Sequence, residues 1–197
     1  MTLPTLGSLV SVRALDRPDL LAPSVHRALQ EWDVGRGVAV VEIDPSLADT
    51  LALAEAYGLP LGASANCVVV AGRRGGEERI AACVVTADTR ADVNNLVKRR
   101  LDVRKASFLA MERAVTETSM EYGGITPIGL PDGWRLLVDA SVDAIDVAII
   151  GSGVRRSKLL LRGSDLAAYP GAELTPGLGL PVHTNVKLRD TRSTPSG

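Results

Sequence analysis

The 197-residue sequence predicts a mixed α/β or α+β domain, and three observations lead to this fold class. Helix-like and strand-like apolar patterns alternate along the chain, which is typical of domains that pack helices against a sheet. Two apolar runs, 66–71 and 80–85, flank the polar, glycine-rich connector 72–78, which predicts a β-hairpin. Hydrophobic residues make up 46% and charged residues 23%, the ordinary balance of a globular protein.

The elements before the hairpin are a helix, a strand and a second helix. Apolar residues at helical spacing predict the first helix over 18–32, and the apolar run 37–43 predicts a short strand. Ser46 is a good N-cap for a helix that runs to Tyr57, because its hydroxyl can accept a bond from a free N–H of the first turn. Gly58 is the expected end of that helix.

The elements after the hairpin alternate again. Thr89 is the expected N-cap of a helix over 89–100, and a shorter helix is predicted over 111–119. Ser164 is the expected N-cap of a final short helix that runs to Tyr169. Three further short strands are predicted over 136–138, 147–150 and 158–161.

The sequence divides into an extension, a domain and a tail. Residues 18–176 carry the alternating elements and are expected to form the domain. The preceding segment 1–17 could be a strand or an arm, and nothing in its composition decides between them. The tail 177–197 is rich in Pro, Gly, Thr and Ser, so we expect it to be loose.

Composition and charge exclude several classes of function. Aromatic residues make up only 3% of the chain, which excludes an aromatic stacking platform for single-stranded nucleic acid. The formal net charge is -1, so contact with nucleic acid would need a local basic patch. Two cysteines and two scattered histidines argue against a disulfide scaffold and a structural zinc site. Without a secretory signal or a stretch of about 20 apolar residues, the chain is expected to be cytoplasmic with reduced cysteines.

Familiar catalytic signatures are absent from the sequence, which contains neither G-x-S-x-G nor G-x-x-x-x-G-K-[ST]. The run 151–156 begins like a dinucleotide fingerprint but lacks the third glycine, so no cofactor is expected there. His26 lies in the first helix and His183 in the tail, and both are interpreted as packed or surface side chains. Cys67 and Cys83 lie almost symmetrically about the hairpin connector, where two small buried thiols are favoured over a redox pair.

A glycine-rich loop is the most distinctive local feature. Gly123, Gly124, Thr126, Pro127 and Gly129 fall within seven residues. Glycines allow close approach of a ligand to the backbone, and a proline stiffens the loop. Such a loop can direct N–H groups at a carbonyl or phosphate oxygen. On composition alone, an ordinary Gly/Pro connector is the favoured interpretation.

This loop and four other segments resemble, in the same order, the YbaK/prolyl-tRNA editing-domain family. The run 121–130 (EYGGITPIGL) resembles the G-x-x-x-P loop of that family. The remaining segments are similar to its helix–glycine–strand start (52–58 and 64–70), its strand ending in aspartate (136–139), its glycine turn with arginine (149–155) and its last strand and helix (158–166).

The resemblance implies a single α/β domain with a curved, partly barrel-like mixed sheet and flanking helices. It also implies hydrolysis of the ester of a mischarged aminoacyl-tRNA, usually tRNA(Pro) carrying alanine or cysteine, by a free-standing protein. No metal or cofactor is implied. A ribose hydroxyl of the substrate would help to activate water, while the glycine loop holds the aminoacyl end. Aminoacyl-tRNA is the implied partner, with prolyl-tRNA synthetase as a further candidate, and no membrane or DNA is involved.

Asn66 departs from the pattern of the family, which generally places a lysine at that point of the strand. Asparagine offers only neutral hydrogen bonds where lysine offers a point charge. Three hypotheses therefore stay open: an aminoacyl-tRNA deacylase, a binding module that has lost the chemistry, and a hydrolase of another small acyl compound. The resemblance implies a catalytic set of Asn66, Gly123, Gly124, Ile125, Thr126, Pro127 and Asp139.

Other residues implied to bind the substrate also have plain structural alternatives. Asp139 could orient the substrate or cap a turn, and Ser152 and Gly153 could line a pocket or form a tight turn. Arginine side chains such as Arg155 can contact RNA but are usually only solvated. The densest basic cluster could bind phosphate or complement a helix dipole. The implied substrate-binding set is Ser152, Gly153, Arg155, Lys98, Arg99, Arg100 and Lys105.

Overall fold

The computed structural model describes residues 2–182 of the chain. Its strands are β1 (Ser11–Arg13), β2 (Ala39–Glu42), β3 (Ala65–Arg74), β4 (Glu77–Thr86), β5 (Thr89–Ala91), β6 (Ala106–Phe108), β7 (Arg135–Asp139), β8 (Ala148–Gly151), β9 (Ser157–Leu161), β10 (Ala172–Thr175) and β11 (Gly179–Pro181). Its helices are α1 (Pro23–Glu31), α2 (Thr50–Tyr57), α3 (Lys98–Arg100), α4 (Met111–Thr118), α5 (Ala140–Asp143) and α6 (Gly163–Ala167). None of the helices within this part of the chain is long and apolar enough to cross a membrane.

The strands form three sheets, which confirms the mixed α+β class. One sheet has the order β1-β2-β9-β8 and is antiparallel throughout. The second has the order β10-β7-β4-β3-β6 and combines parallel pairs at β7 with antiparallel pairs at β3. A small third sheet pairs β11 with β5. Between residues 2 and 182 no sheet closes on itself, so the barrel-like part of the expectation is not observed.

The predicted hairpin is confirmed as β3 and β4, with register from Ala65 opposite Thr86 to Arg74 opposite Glu77. Its two-residue turn consists of Gly75 and Gly76, which both have positive φ, as turns of this length require.

The cysteines do not face each other across this hairpin. Cys67 lies opposite Val84, and Cys83 lies opposite Val68, so the two thiols are offset by one residue. Successive side chains of a strand point to opposite faces, so the thiols lie on opposite faces of the sheet. Both cysteines are free, and burial raises the pKa of each thiol, that of Cys83 to about 12.

The core lies in three layers that follow from the alternation of side chains along the strands. Val40 of β2 and Val84 of β4 belong to one cluster, which α1 covers and which lies between the two large sheets. The next residue of β2, Val41, packs with Leu53 of α2 on the outer face of the first sheet. The residue before Val84, Cys83, packs on the outer face of the second sheet.

The two large sheets meet at one point that matters for the site. Ser64, just before β3, forms an isolated parallel bridge with Ile149 of β8. Because β8 is the edge strand of its sheet, this bridge brings the start of β3 against that edge.

Two predicted helix starts differ from the structure. The helix predicted over 18–32 begins only at Pro23, after a 3-10 turn over Pro18–Leu20. Ser46 does not cap α2 but lies in a separate 3-10 turn, and Asp49 accepts bonds from the N–H groups of the first turn of α2. Proline restricts the residue before it and favours such breaks. Gly58 ends α2 in the left-handed conformation, as predicted.

Two further predicted caps were wrong. Thr89 belongs to β5, and the helical segment starts at Val93 with Asp92 as its cap. Ser164 lies inside α6, where no side chain caps the first turn. Threonine is found both at helix N-caps and in strands, so the residue type does not fix the secondary structure of Thr89. Its pairing with β11 does.

Both ends of the described range, 2–182, join the fold. In segment 1–17, β1 pairs with β2, so the open choice between strand and arm is resolved as a strand. The expectation of a loose tail is wrong for Gly179–Pro181, which pairs with β5, because the adjacent Leu178 is fully buried and anchors it. His183 lies outside the described residues.

Candidate functional site

A cleft of about 670 Å³ opens where β3 meets β8. Its lining consists of residues 48–50 and Leu53 at α2, 64–68 at the start of β3, Tyr122, Gly123 and Ile125 of the glycine loop, 149–151 of β8, Arg155 and Lys158. The sequence therefore identified part of this lining, and the structure adds the rest.

The glycine loop is shaped by its packing against the turn that follows β8. A Cβ on Gly124 would lie 2.7 Å from the backbone carbonyl group of Val154, and a Cβ on Gly151 would collide with the Gly124 carbonyl oxygen. The N–H of Gly153 donates to that same oxygen at 2.8 Å. These glycines therefore serve contact between two backbone segments, and Gly123 and Ile125 are left at the cleft surface.

Three loop residues predicted for the site lie behind its surface. Gly124, Thr126 and Pro127 do not line the cleft. Thr126 is 0% exposed, and its hydroxyl has no hydrogen-bond partner among residues 2–182.

Asn66 lies in the cleft, as the resemblance implied. Its side-chain oxygen accepts a 3.0 Å hydrogen bond from the Thr50 hydroxyl at the start of α2. Within the described part of the chain its amide nitrogen donates to no group, so that end of the side chain is available to a ligand.

Lys158 is the cleft residue that the sequence reasoning missed as a functional group. It lies on β9 and is only 7% exposed. Its Nζ donates to the carbonyl oxygens of Ala48 at 3.0 Å and Gly123 at 3.1 Å. Burial and the nearby Arg155 lower the pKa of this ammonium to about 8, with a partial offset from Asp49. The available signal was a lysine directly before the apolar run 159–161 of a buried strand.

Arg155 connects two walls of the cleft and is more than a solvated arginine. Its Nε donates to the Pro45 carbonyl at 3.0 Å, and its Nη1 donates to the Tyr122 carbonyl at 3.4 Å. Its backbone N–H also donates to the Glu121 carboxylate at 2.6 Å. The Tyr122 side chain is 61% exposed and forms part of the rim.

Ser152 and Gly153 form the turn between β8 and β9 and do not line the cleft. The Ser152 hydroxyl is buried and hydrogen bonds with the Ser157 hydroxyl at 2.7 Å. Gly153 has a φ of +85° and packs directly against Ala22. The tight-turn alternative describes both residues.

Asp139 also lies away from the cleft lining and acts as a cap. Its carboxylate accepts the N–H groups of Ser141 at 2.9 Å and Gly179 at 2.7 Å. Burial disfavours the charged form, but the hydrogen bonds from Ser141 and Gly179 outweigh it and lower the pKa of Asp139. The carboxylate thus holds α5 and β11 together.

The basic cluster does not line the cleft but lies farther along β3. Lys98, Arg99 and Arg100 form α3, whereas Arg104 and Lys105 line a separate groove of about 430 Å³ beside Ala71 and Gly72. Phe108, 62% exposed, lines the same groove. At about 3.3 Å per residue, six residues of β3 separate Asn66 from Gly72 by roughly 20 Å.

Taken together, the cleft presents two cations, a free amide and backbone N–H groups. These groups can bind an ester carbonyl or phosphate oxygen and position water. Cys67 also lines the cleft, but burial raises the pKa of its thiol, so the thiolate is disfavoured as a nucleophile. Within residues 2–182 no three His, Cys, Asp or Glu side chains are grouped so that they could hold a metal ion.

Solved structures share this fold. A proposed trans-editing enzyme for prolyl tRNA synthetase has a TM-score of 0.67 and 22% identity, over 79% of this chain and 97% of its own. A protein described only as hypothetical has a TM-score of 0.67 and 19% identity, over 78% and 99%. A proposed signal transduction protein from Marinobacter aquaeolei VT8 has a TM-score of 0.54 and 16% identity, over 84% of this chain and 32% of its own. At such identities the likeness establishes the fold.

Sequence comparison establishes the family. No curated protein sequence matches this chain. The family model of the aminoacyl-tRNA editing domain matches residues 44–169, more than half of the chain. This range contains α2, the start of β3, the glycine loop and Lys158, which are the segments that build the cleft. The chain therefore belongs to the aminoacyl-tRNA editing domain family, as its resemblance to the YbaK proteins predicted.

Proposed function

We propose that this protein is a deacylase that acts in trans on mischarged tRNA, with tRNA(Pro) carrying a small wrong amino acid such as alanine or cysteine as its main substrate. The observation that carries the proposal is the cleft in which the glycine loop, Asn66 and two cations converge. Its volume of about 670 Å³ is in the range of small-ligand sites. It therefore suits the aminoacylated terminal nucleotide and excludes the body of a tRNA.

Within this proposal, water attacks the ester carbonyl, and the bond between the carbonyl carbon and the ribose oxygen breaks. The ribose oxygen receives a proton, so the products are the free amino acid and the tRNA. The N–H groups of Gly123 and Ile125 donate to no acceptor within residues 2–182, and both residues line the cleft. They are the donors we assign to the developing oxyanion.

The other predicted residues take supporting parts in the proposal. Asn66 offers its amide nitrogen to the substrate, while Arg155 fixes the rim by holding Pro45 and Tyr122. Gly124, Thr126 and Pro127 support the loop from behind. Lys98, Arg99, Arg100 and Lys105, which do not line the cleft, are proposed to contact the phosphates of the tRNA body.

The experiment is a deacylation assay with tRNA(Pro) charged with Ala, Cys, Ser, Thr or Pro. Ester loss is followed against a reaction without enzyme. Arg36→Met, which removes an exposed cation outside the cleft, is the matched control and should keep the wild-type rate. Selective acceleration with one wrong amino acid supports the proposal. No acceleration with any of the five contradicts it, and loss of activity on substrates without an intact tRNA excludes a general acyl hydrolase.

Asn66 favours a second candidate, a module that binds aminoacyl-tRNA without hydrolysing it. Its neutral side chain, already held by Thr50, stands where the family generally has lysine. Asn66→Lys separates the candidates. If this variant hydrolyses a substrate that the wild type only binds, the natural protein is a binding module; an active wild type excludes that reading.

A further inference from the structure

The starting observation is a buried lysine without a carboxylate partner. Of the lysines between residues 2 and 182, only Lys158 is buried, whereas Lys105 is exposed. No ion pair of Lys158 exists within this range. A buried ammonium is costly unless other groups compensate it. Here the compensation within the protein comes from two backbone carbonyl groups.

The position of Lys158 on β9 explains how it reaches the cleft. In the β8–β9 ladder it lies opposite Gly151, which has no side chain and lines the cleft. Because paired residues share a face of the sheet, Lys158 lies on the same face as Gly151, and the missing side chain at 151 leaves space on that face for the backbone of the glycine loop. The glycine loop packs over Gly151, and this contact places the Gly123 carbonyl within 3.1 Å of Nζ.

The hydrogen bonds leave one donor for a ligand. An ammonium group has three N–H bonds. Two of them go to the carbonyl oxygens of Ala48, just before α2, and Gly123 of the glycine loop. The third N–H bond of Lys158 has no acceptor among residues 2–182. Because Lys158 lines the cleft, this N–H is available to a bound ligand.

We propose that Lys158 supplies the positive charge that this site lacks at position 66, and that its third N–H binds an oxygen of the aminoacylated terminal nucleotide. The bound oxygen belongs to either the ester carbonyl or the adjoining phosphate. The other two N–H bonds keep the glycine loop at a fixed distance from the segment before α2. This inference rests on the proposed function. The positive charge that the family generally places at the position of Asn66, on β3, would then come from Lys158 on β9 of the other large sheet.

The surroundings of Lys158 are consistent with a binding site for a negative or polarised oxygen. The charged groups that act on it are Arg155, which is also a cation, and Asp49. The Asp49 carboxylate is already engaged with the N–H groups of Leu51 and Ala52 at the start of α2. The local balance is therefore positive, and the lowered pKa of Lys158 reflects this crowding of positive charge together with burial.

The test compares four proteins on the best substrate of the wild type: wild type, Lys158→Met, Lys158→Met with Asn66→Lys, and Arg36→Met. We expect Lys158→Met to lower kcat/KM by about 10- to 150-fold, which is the range for a hydrogen bond to a charged group. Addition of Asn66→Lys should restore at least 10-fold, because the new ammonium enters the same cleft. Arg36→Met should behave as the wild type.

Two results would overturn the inference. One is an unchanged kcat/KM in Lys158→Met, and the other is a loss that Asn66→Lys does not restore. The division between kcat and KM identifies the oxygen: a carbonyl contact strengthens in the transition state and lowers kcat, whereas a phosphate contact is uniform and raises KM.

Two further measurements keep the inference testable if the Lys158→Met variant does not fold or if the proposed function is wrong. If Lys158→Met does not fold, the wild-type pH profile is decisive: after subtraction of the rate without enzyme, kcat/KM should fall above pH 8, and a value that stays constant to pH 10 overturns the inference. If the wild type deacylates none of the five substrates, the proposed function has failed. The inference is then tested by binding of adenosine 5′-monophosphate that carries alanine in a stable amide link at its 3′ position, a probe with both the carbonyl and the phosphate, and equal affinity of wild type and a folded Lys158→Met variant overturns it.

Discussion

The buried ammonium of Lys158 should make the stability of the protein depend on pH in a defined way. The perturbation is Lys158→Met, which keeps an unbranched side chain as far as Cε and removes the charged ammonium group. The pKa of Lys158 is about 8 in the folded protein against 10.5 for an unperturbed lysine. At 1.36 kcal/mol per unit of pKa, burial and the nearby Arg155, partly offset by Asp49, disfavour the charged form by about 3 kcal/mol.

The sign of the effect follows from which state binds the proton. Between pH 8 and pH 10.5 the unfolded chain keeps the lysine protonated while the folded protein releases that proton. The free energy of unfolding therefore rises with pH across this window, because the unfolded state binds more protons. Below pH 8 both states are protonated, and the full cost of about 3 kcal/mol is present.

Cysteine and tyrosine titrate in the same window with the opposite sign. Burial raises the pKa of Cys67, Cys83 and Tyr169, so their unfolded forms lose protons first and stability falls as pH rises. These contributions are the same in wild type and Lys158→Met, so they cancel in the difference between the two free energies of unfolding. This difference should increase by about 3 kcal/mol in favour of the wild type between pH 7 and pH 10.5.

The assay is urea unfolding followed by circular dichroism at several pH values, with the free energy taken by linear extrapolation. Arg36→Met is the control and should parallel the wild type at every pH. Parallel curves for wild type and Lys158→Met, with a constant difference from pH 7 to pH 10.5, would refute the reasoning. Such a result would mean that the ammonium group is as well solvated in the folded protein as in water.

Three further predictions concern residues around the site. Thr126→Val removes a buried hydroxyl without a partner among residues 2–182, so the free energy of unfolding should stay equal or rise by about 1 kcal/mol; a loss of kcat/KM at unchanged Tm would show that the hydroxyl meets the substrate. Asp139→Ala removes the bonds to Ser141 and Gly179 and should cost about 2–3 kcal/mol in urea unfolding. The kcat/KM of Asp139→Ala should stay at the wild-type value. A lower kcat/KM without a loss of stability would show that Asp139 takes part in the reaction. Lys105→Met should weaken binding of charged and uncharged tRNA alike and reduce the slope of log K against log salt by about 0.7–0.9; an unchanged slope would exclude a phosphate contact.

Elements that depend on local pattern could be predicted from the sequence. The hairpin β3–β4 follows from two apolar runs around two adjacent glycines, and both signals act within some twenty residues. The break at Gly58 and the irregular run around Pro127 follow from backbone preferences that need no partner. The segments that resemble the editing-domain family, including Asn66 and the glycine loop, also follow from the order of residues alone.

Assignments that depend on a distant partner could not be made in this way. Thr89 can cap a helix or lie in a strand, and only its pairing with β11 decides. Whether Asp139 orients a substrate or caps a turn depends on Gly179, forty residues away, whose N–H it accepts. The offset of Cys67 and Cys83 is a matter of register, since a shift of one residue moves a side chain to the other face.

The sequence by itself determined the mixed class, the hairpin, the loop and the family of this protein, because these follow from neighbouring residues and their order. Only the tertiary structure decided which groups form the cleft. The sequence shows Lys158 only as a strand residue and Gly123 only as part of a connector. The pairing of β9 with β8 and the hydrogen bond from Lys158 to the Gly123 carbonyl show that both belong to the cleft. The energy of a buried charge depends on every group around it, and those groups come from segments as far apart as Ala48 and Lys158.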